Sequence, residues 1–95
     1  MKSIIKSEDS GCFFCGRRPT ETHHCMHGTA NRRLADMDGL TVQLCYEHHR
    51  GNYGVHGKYG HESDLKLKQA AEYAWLKYYR KTIADWIDRY GRNYL

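Results

Sequence analysis

The sequence predicts a small α+β domain with a C-terminal helical extension. Three observations lead there. All four cysteines and all seven histidines fall within residues 11–61. The stretch "LTVQL" (40–44) alternates apolar and polar residues, as a half-buried strand does. Residues 62–95 hold no cysteine or histidine and repeat apolar side chains at helical spacing. The chain has 95 residues, one domain by length. No repeat or low-complexity linker separates its halves, so residues 1–95 read as one unit, with a core over 12–57 and helices over 62–91.

Taken in order, "SIIKS" (3–7) predicts a short strand or an arm packed on the core. "CFFCGRRPT" (12–20) is a C-x2-C turn, with Gly16 and Pro19 breaking regular structure. "TETHH" (20–24) predicts a short strand. "TANRRLADMDG" (29–39) predicts a short helix capped by Thr29 and ended by Gly39. The strand at 40–44 follows. "CYEHHRGNYGVHG" (45–57) starts as a turn or helix, which its glycines loosen. Ser63 or Asp64 caps the next helix, whose apolar face is Leu67, Ala71, Ala74, Trp75 and Tyr78. After a bend near Thr82, Ile83, Trp86, Ile87 and Tyr90 form a second stripe, which Gly91 stops.

Cys12 and Cys15 stand in C-x2-C, and Cys45 and His48 in C-x2-H. Each pair puts two donors on one tight knuckle. Two knuckles make a tetrahedral site of three thiolates and one imidazole, which suits structural Zn²⁺. Such a site is closed to substrate. It acts in folding by tying the chain's start to the strand at 40–44. Cys25 competes with His48 as fourth ligand at a poorer spacing, and reads more simply as a small core residue.

Fifteen Lys+Arg against eleven Asp+Glu give a net charge of +4, mildly basic and compatible with nucleic acid. The pairs Arg17–Arg18, Arg32–Arg33 and Arg80–Lys81 are each better read as solvated surface, as is the helical face of Lys77, Arg80 and Lys81. The start of the chain lacks an apolar stretch of signal-peptide length, and the cysteines sit at metal-ligand spacing. Both favour a reducing, cytoplasmic setting over disulfides. No stretch approaches the roughly 18–20 apolar residues of a membrane span.

The remaining histidines are His23, His24, His27, His49, His56 and His61. "THHCMHG…GLTVQLCYEHHR…VHG" resembles the HNH endonucleases, the family with a ββα-metal active site. The likeness covers roughly residues 12–57. "NRRLADMDGLTVQLC…HH…VH" and the ending "GRNYL" resemble, more narrowly, small phage HNH proteins of the RecA-dependent, recombination-enhancing kind. The resemblance implies a zinc-stapled ββα-metal core. It implies His23, His49 and His56 as ligands of a catalytic divalent metal (Mg²⁺, Mn²⁺ or Zn²⁺), and His24 as the general base. It also implies 5′-phosphate and 3′-hydroxyl products. His48 stands where the commoner pattern has cysteine. Gly39 stands where the family has asparagine, and Asn31 is the substitute, bonding a backbone group to hold the catalytic loop.

A base, a metal and phosphate-binding cations are what phosphodiester hydrolysis needs. The sequence therefore points to a metal-dependent DNA endonuclease or nickase, with Arg32, Arg33 and Arg50 on phosphates. The resemblance implies DNA, single- or double-stranded, and a RecA-type filament as partners, in a bacterial host cell. The second reading is a non-catalytic zinc module binding DNA or a protein; it leaves His23, His24, His49 and His56 without a role. A zinc hydrolase or deaminase acting on a small molecule is disfavoured, since neither H-E-x-x-H nor H-x-E…P-C-x2-C is present. His27 is left between a competing ligand and a phosphate contact, with an exposed or locally hydrogen-bonded side chain the simpler reading, as for His61. Asp36, Asp38 and Glu47 are expected at the surface.

Overall fold

The computed structural model describes residues 1–95. Two short strands, β1 (Glu21–His24) and β2 (Thr41–Leu44), flank helix α1 (Thr29–Asp38). Three helices follow: α2 (Tyr46–Arg50), α3 (His61–Tyr79) and α4 (Ile83–Tyr90). The strands pair antiparallel, with His23 opposite Val42 and His24 opposite Thr41. Adjacent strand residues point to opposite faces. His23 is accordingly buried and its neighbour His24 is only half-buried. The molecule is thus small and mixed α+β, with its helices largely after the sheet.

The segment at 3–7 is an arm, without strand pairing. Ile4 N–H donates to Gly39 O at 2.9 Å, and Ser3 Oγ donates to Thr41 O at 2.5 Å. Gly39 is left-handed at φ 78°, and a Cβ there would strike Lys2 O at 2.5 Å. Glycine therefore both ends α1 and admits the arm.

Helix starts differ from expectation in a consistent way. Gly28, not Thr29, is the N-cap of α1, and Gly60, not Ser63 or Asp64, precedes α3. All three polar candidates lie inside their helices, Thr29 one residue and Ser63 and Asp64 three and four residues past the cap. Thr82 does cap α4, in a reciprocal capping box with Asp85. The break before it is sharp because Arg80 adopts φ 54°.

The core gathers Met26, Leu40, Val42 and Leu44 with Leu67, Ala71, Trp75, Trp86 and Tyr90. Trp75 meets Trp86 edge-on at 5.5 Å, joining α3 to α4. The predicted apolar stripes are wider than the buried ones. Ala74 is half-buried and Tyr78 is exposed. Ile83 and Ile87 are also exposed, because the i, i+4 pair Trp86–Tyr90 carries the burial of so short a helix. Asp38 departs from the surface position expected of it. It is 7% exposed and accepts from Trp75 Nε1, Arg89 and Tyr90 OH. Asp36 and Glu47 are exposed, as expected. No helix is long and apolar enough to cross a membrane.

Candidate metal centres

The four residues of the two knuckles converge. Cys12, Cys15, Cys45 and His48 present donor atoms that all lie within 4.8 Å of one another. Cys15 Sγ is 3.7 Å from Cys45 Sγ, and His48 Nδ1 is 3.3 Å from Cys45 Sγ and 3.5 Å from Cys12 Sγ. A zinc tetrahedron with Zn–S of about 2.3 Å has S···S edges of about 3.8 Å. The spacing therefore fits a metal such as zinc. Burial opposes ionisation of Cys12, but backbone N–H groups of Cys45, Cys15 and Phe14 outweigh it and bring the thiol down to about 6. That favours the thiolate a metal takes. Phe13 N–H donates to Gln43 O at 2.8 Å, so the first knuckle is bonded to β2. Cys25 stays outside the cluster, wholly buried in the core, where burial pushes its thiol up.

A second cluster lies at the end of β1. His23, His49 and His56 also bring donor atoms within 4.8 Å. Ring centroids are 5.3 Å apart for His23–His49, 5.1 Å for His23–His56 and 4.8 Å for His49–His56. His23 is 3% exposed, and its buried Nε2 has no hydrogen-bond partner. An orphaned imidazole nitrogen facing two further imidazoles fits a metal cation. Burial, then the neighbouring His56, His49 and His27, pull the His23 pKa down to about 3. His23 is therefore neutral at pH 7 and able to ligate. His49 Nδ1 is bonded to Glu21 Oε1 at 3.0 Å, leaving Nε2 as the free nitrogen. The same carboxylate accepts from Arg50 Nε at 3.1 Å. The bonds from His49 and Arg50 hold Glu21 below its ordinary pKa.

The loop that delivers His56 is tightened, not loosened, by its glycines. Gly51, Gly54, Gly57 and Gly60 recur every third residue. Gly54 N–H bonds Gly51 O at 2.9 Å, and Gly57 N–H bonds Gly54 O at 2.8 Å. A Cβ at Gly57 would collide with Gly51 O, and one at Gly60 with Gly54 O. The coil lies on α2, with His56 N–H donating to His49 O at 3.0 Å. The seven-residue separation of the two histidines thus closes by a main-chain bond.

His24 lies beside the trio rather than in it. Its Nε2 is 3.2 Å from Asp36 Oδ1. It lines a cleft of about 310 Å³ with His23, His27, His49, His56, Arg32 and Arg50. Arg33 lines the adjoining groove with Arg32 and Asp36. Asn31 does bond a backbone group, but that group is Tyr90 O in α4, at 3.3 Å, away from the loop expected for it. His27 is bonded to Asp64 Oδ1 at 2.6 Å, and His61 is exposed at the start of α3.

Sequence reasoning missed Glu21, Asp36 and Asp64. Glu21 was discoverable, since it lies two residues before His23 and so shares its strand face. Asp36 and Asp64 reach their histidines from twelve and thirty-seven residues away, with no local signal. Comparison with family models, curated proteins and solved structures returns no match.

Proposed function

We propose that this chain is a metal-dependent DNA endonuclease or nickase of the HNH (ββα-metal) type. One observation supports it above the rest. A single cleft holds three clustered imidazoles, two further imidazoles each bonded to a carboxylate, and two arginines. A purely structural zinc module needs only Cys12, Cys15, Cys45 and His48, and leaves that cleft unexplained.

His23, His49 and His56 would hold the catalytic ion, a Mg²⁺, Mn²⁺ or Zn²⁺. When bound, it supplies Lewis-acid stabilisation of charge on the phosphate and the leaving oxygen. His24 acts as general base. Asp36 at Nε2 fixes the tautomer and leaves Nδ1 to accept the proton of the attacking water. The water oxygen bonds to phosphorus as the bond to the 3′ oxygen breaks. That oxygen takes a proton from solvent, giving 5′-phosphate and 3′-hydroxyl ends. Arg32 and Arg50 in the cleft, and Arg33 beside it, bind flanking phosphates, so recognition is of backbone more than of sequence. The resemblance to phage proteins supports a role in DNA recombination or processing in a bacterial cell, alongside a RecA-type filament.

Supercoiled-plasmid cleavage with Mg²⁺, Mn²⁺ and Zn²⁺ tests the proposal. Wild type is expected to nick or linearise the plasmid, and His24→Ala to lose at least about a hundredfold in rate. Equal cutting by both proteins rejects the assignment of the base. No cutting under any metal, with or without RecA-coated single strands, rejects the nuclease.

A further inference from the structure

We infer that Asp64 is a ligand of the ion held by the histidine trio, with His27 beside it as a further donor. The site would then draw on α3 as well as on the strands and α2. This rests on the metal half of the proposal above and does not need the nuclease half.

Two donor sets converge on His23. One is His49 and His56; the other is His27 and Asp64, and each set lies within 4.8 Å of the His23 donor. Both sets include His23, and its Nε2 is buried and unpartnered, on a side chain 3% exposed. A ring nitrogen has one in-plane lone pair and serves one ion. With Nε2 as their common donor, the two sets would merge into one coordination sphere of up to five donors, within the range of first-row divalent metals. Three neutral imidazoles leave a dication uncompensated, and an anionic donor removes that cost.

Asp64 is the carboxylate whose oxygen lies within 4.8 Å of the His23 donor. Glu21 is engaged by His49 and Arg50, and Asp36 by His24. Asp64 is held from behind, its Oδ2 2.9 Å from Lys68 Nζ one helical turn on. Its Oδ1 faces His27 at 2.6 Å. Two donors on a common ion, each about 2.0–2.2 Å from it, lie about 3 Å apart. The pair needs to open by only a few tenths of an ångström. The His27 side chain is 41% exposed and has open solvent available. It nonetheless turns to His23 at 5.6 Å and His56 at 6.1 Å between ring centroids.

Cobalt(II) titration of the full chain, with zinc in the cysteine site, tests this. Cobalt in the cysteine site announces itself by thiolate charge-transfer bands. Cobalt on nitrogen and oxygen gives only ligand-field bands, so the two are read separately. Asp64→Asn and Asp64→Ala are expected to weaken the nitrogen–oxygen site about tenfold to hundredfold and to change its band intensities. His23→Ala is expected to abolish it. Retention of one zinc and a cooperative melt certify that each variant folds. Wild-type affinity and spectrum in both folded Asp64 variants, with loss in His23→Ala, would overturn the inference and leave the trio standing. A signal that survives His23→Ala, or is absent from wild type, overturns the trio and the inference together. Both outcomes are read from metal binding alone, independently of plasmid cleavage.

Discussion

Arg89 grips Asp38 with two nitrogens, Nε at 2.6 Å from Oδ2 and Nη2 at 2.8 Å from Oδ1. Oδ2 also accepts from Trp75 Nε1 at 3.0 Å and Tyr90 OH at 2.6 Å. Tyr79 OH donates to the Asp38 carbonyl at 3.0 Å. The last residue of α1 is thus the polar junction of α1, α3 and α4. Asp38→Ala is expected to destabilise by about 3 kcal/mol, since it orphans two buried donors and uncouples a half-buried cation. Urea unfolding at constant m-value checks it. A loss under about 1 kcal/mol would show that water replaces the carboxylate.

Cys45→Ser is expected to release the structural metal and to abolish cooperative unfolding. Cys45 belongs to both the core and the donor set. Removing a thiolate from a closed site in so small a domain removes folding energy directly. Metal content by elemental analysis and thermal melting report the two effects. Equal melting of wild type and variant would show that the fold stands without the ion.

Asp36→Asn isolates the orientation of His24. Asp36 is exposed, so stability is expected to change by less than about 0.5 kcal/mol. Cleavage rate is expected to fall on the order of tenfold or more, with metal binding unchanged. A wild-type rate would mean that the bond to Asp36 does not set the base.

His23 makes stability depend on pH. Its folded pKa of about 3 lies below the ordinary 6.5, chiefly through burial. Below pH 6.5 the unfolded chain takes up a proton that the folded chain refuses until about pH 3. Stability is therefore complete above 6.5 and is lost as pH falls through that window, by up to about 1.4 kcal/mol per pH unit. His56, lowered by burial and by His49 and His27, acts with the same sign. Denaturant melts at stepped pH should show a shallower slope for His23→Asn than for wild type. Identical slopes would mean that His23 protonates in the folded state.

The fold's outline was legible because its signals are local. Alternation at 40–44 marked β2, and the recurrence of Leu67, Ala71 and Trp75 marked α3. The two knuckles were legible because ligand spacing within each is a sequence property. What escaped depends on separations that a sequence leaves open. Asp38 reads as a surface acid until Arg89, fifty-one residues on, is laid against it. The glycine loop reads as loose because glycine both frees an open chain and permits a crowded one. Its three-residue repeat, visible in the sequence, is the clue to the second case. Asn31 keeps its expected kind of partner and changes its address, from a loop to α4.

His48 and His49 are neighbours on α2, yet one joins the cysteines and the other the histidine trio. Successive helical side chains diverge by about 100°, so one short helix can serve two centres back to back. The helix is a shared axle, and with metal in both centres, as proposed, dependence between them would run mainly one way. Stripping the cysteine site would remove one anchor of the axle and leave the second donor set to the bonds of His49 and Arg50 with Glu21. Emptying the trio leaves the axle pinned. With ions in both clusters, as proposed, the trio would be refilled by simple resupply, whereas loss from the cysteine site would have to be repaired by refolding.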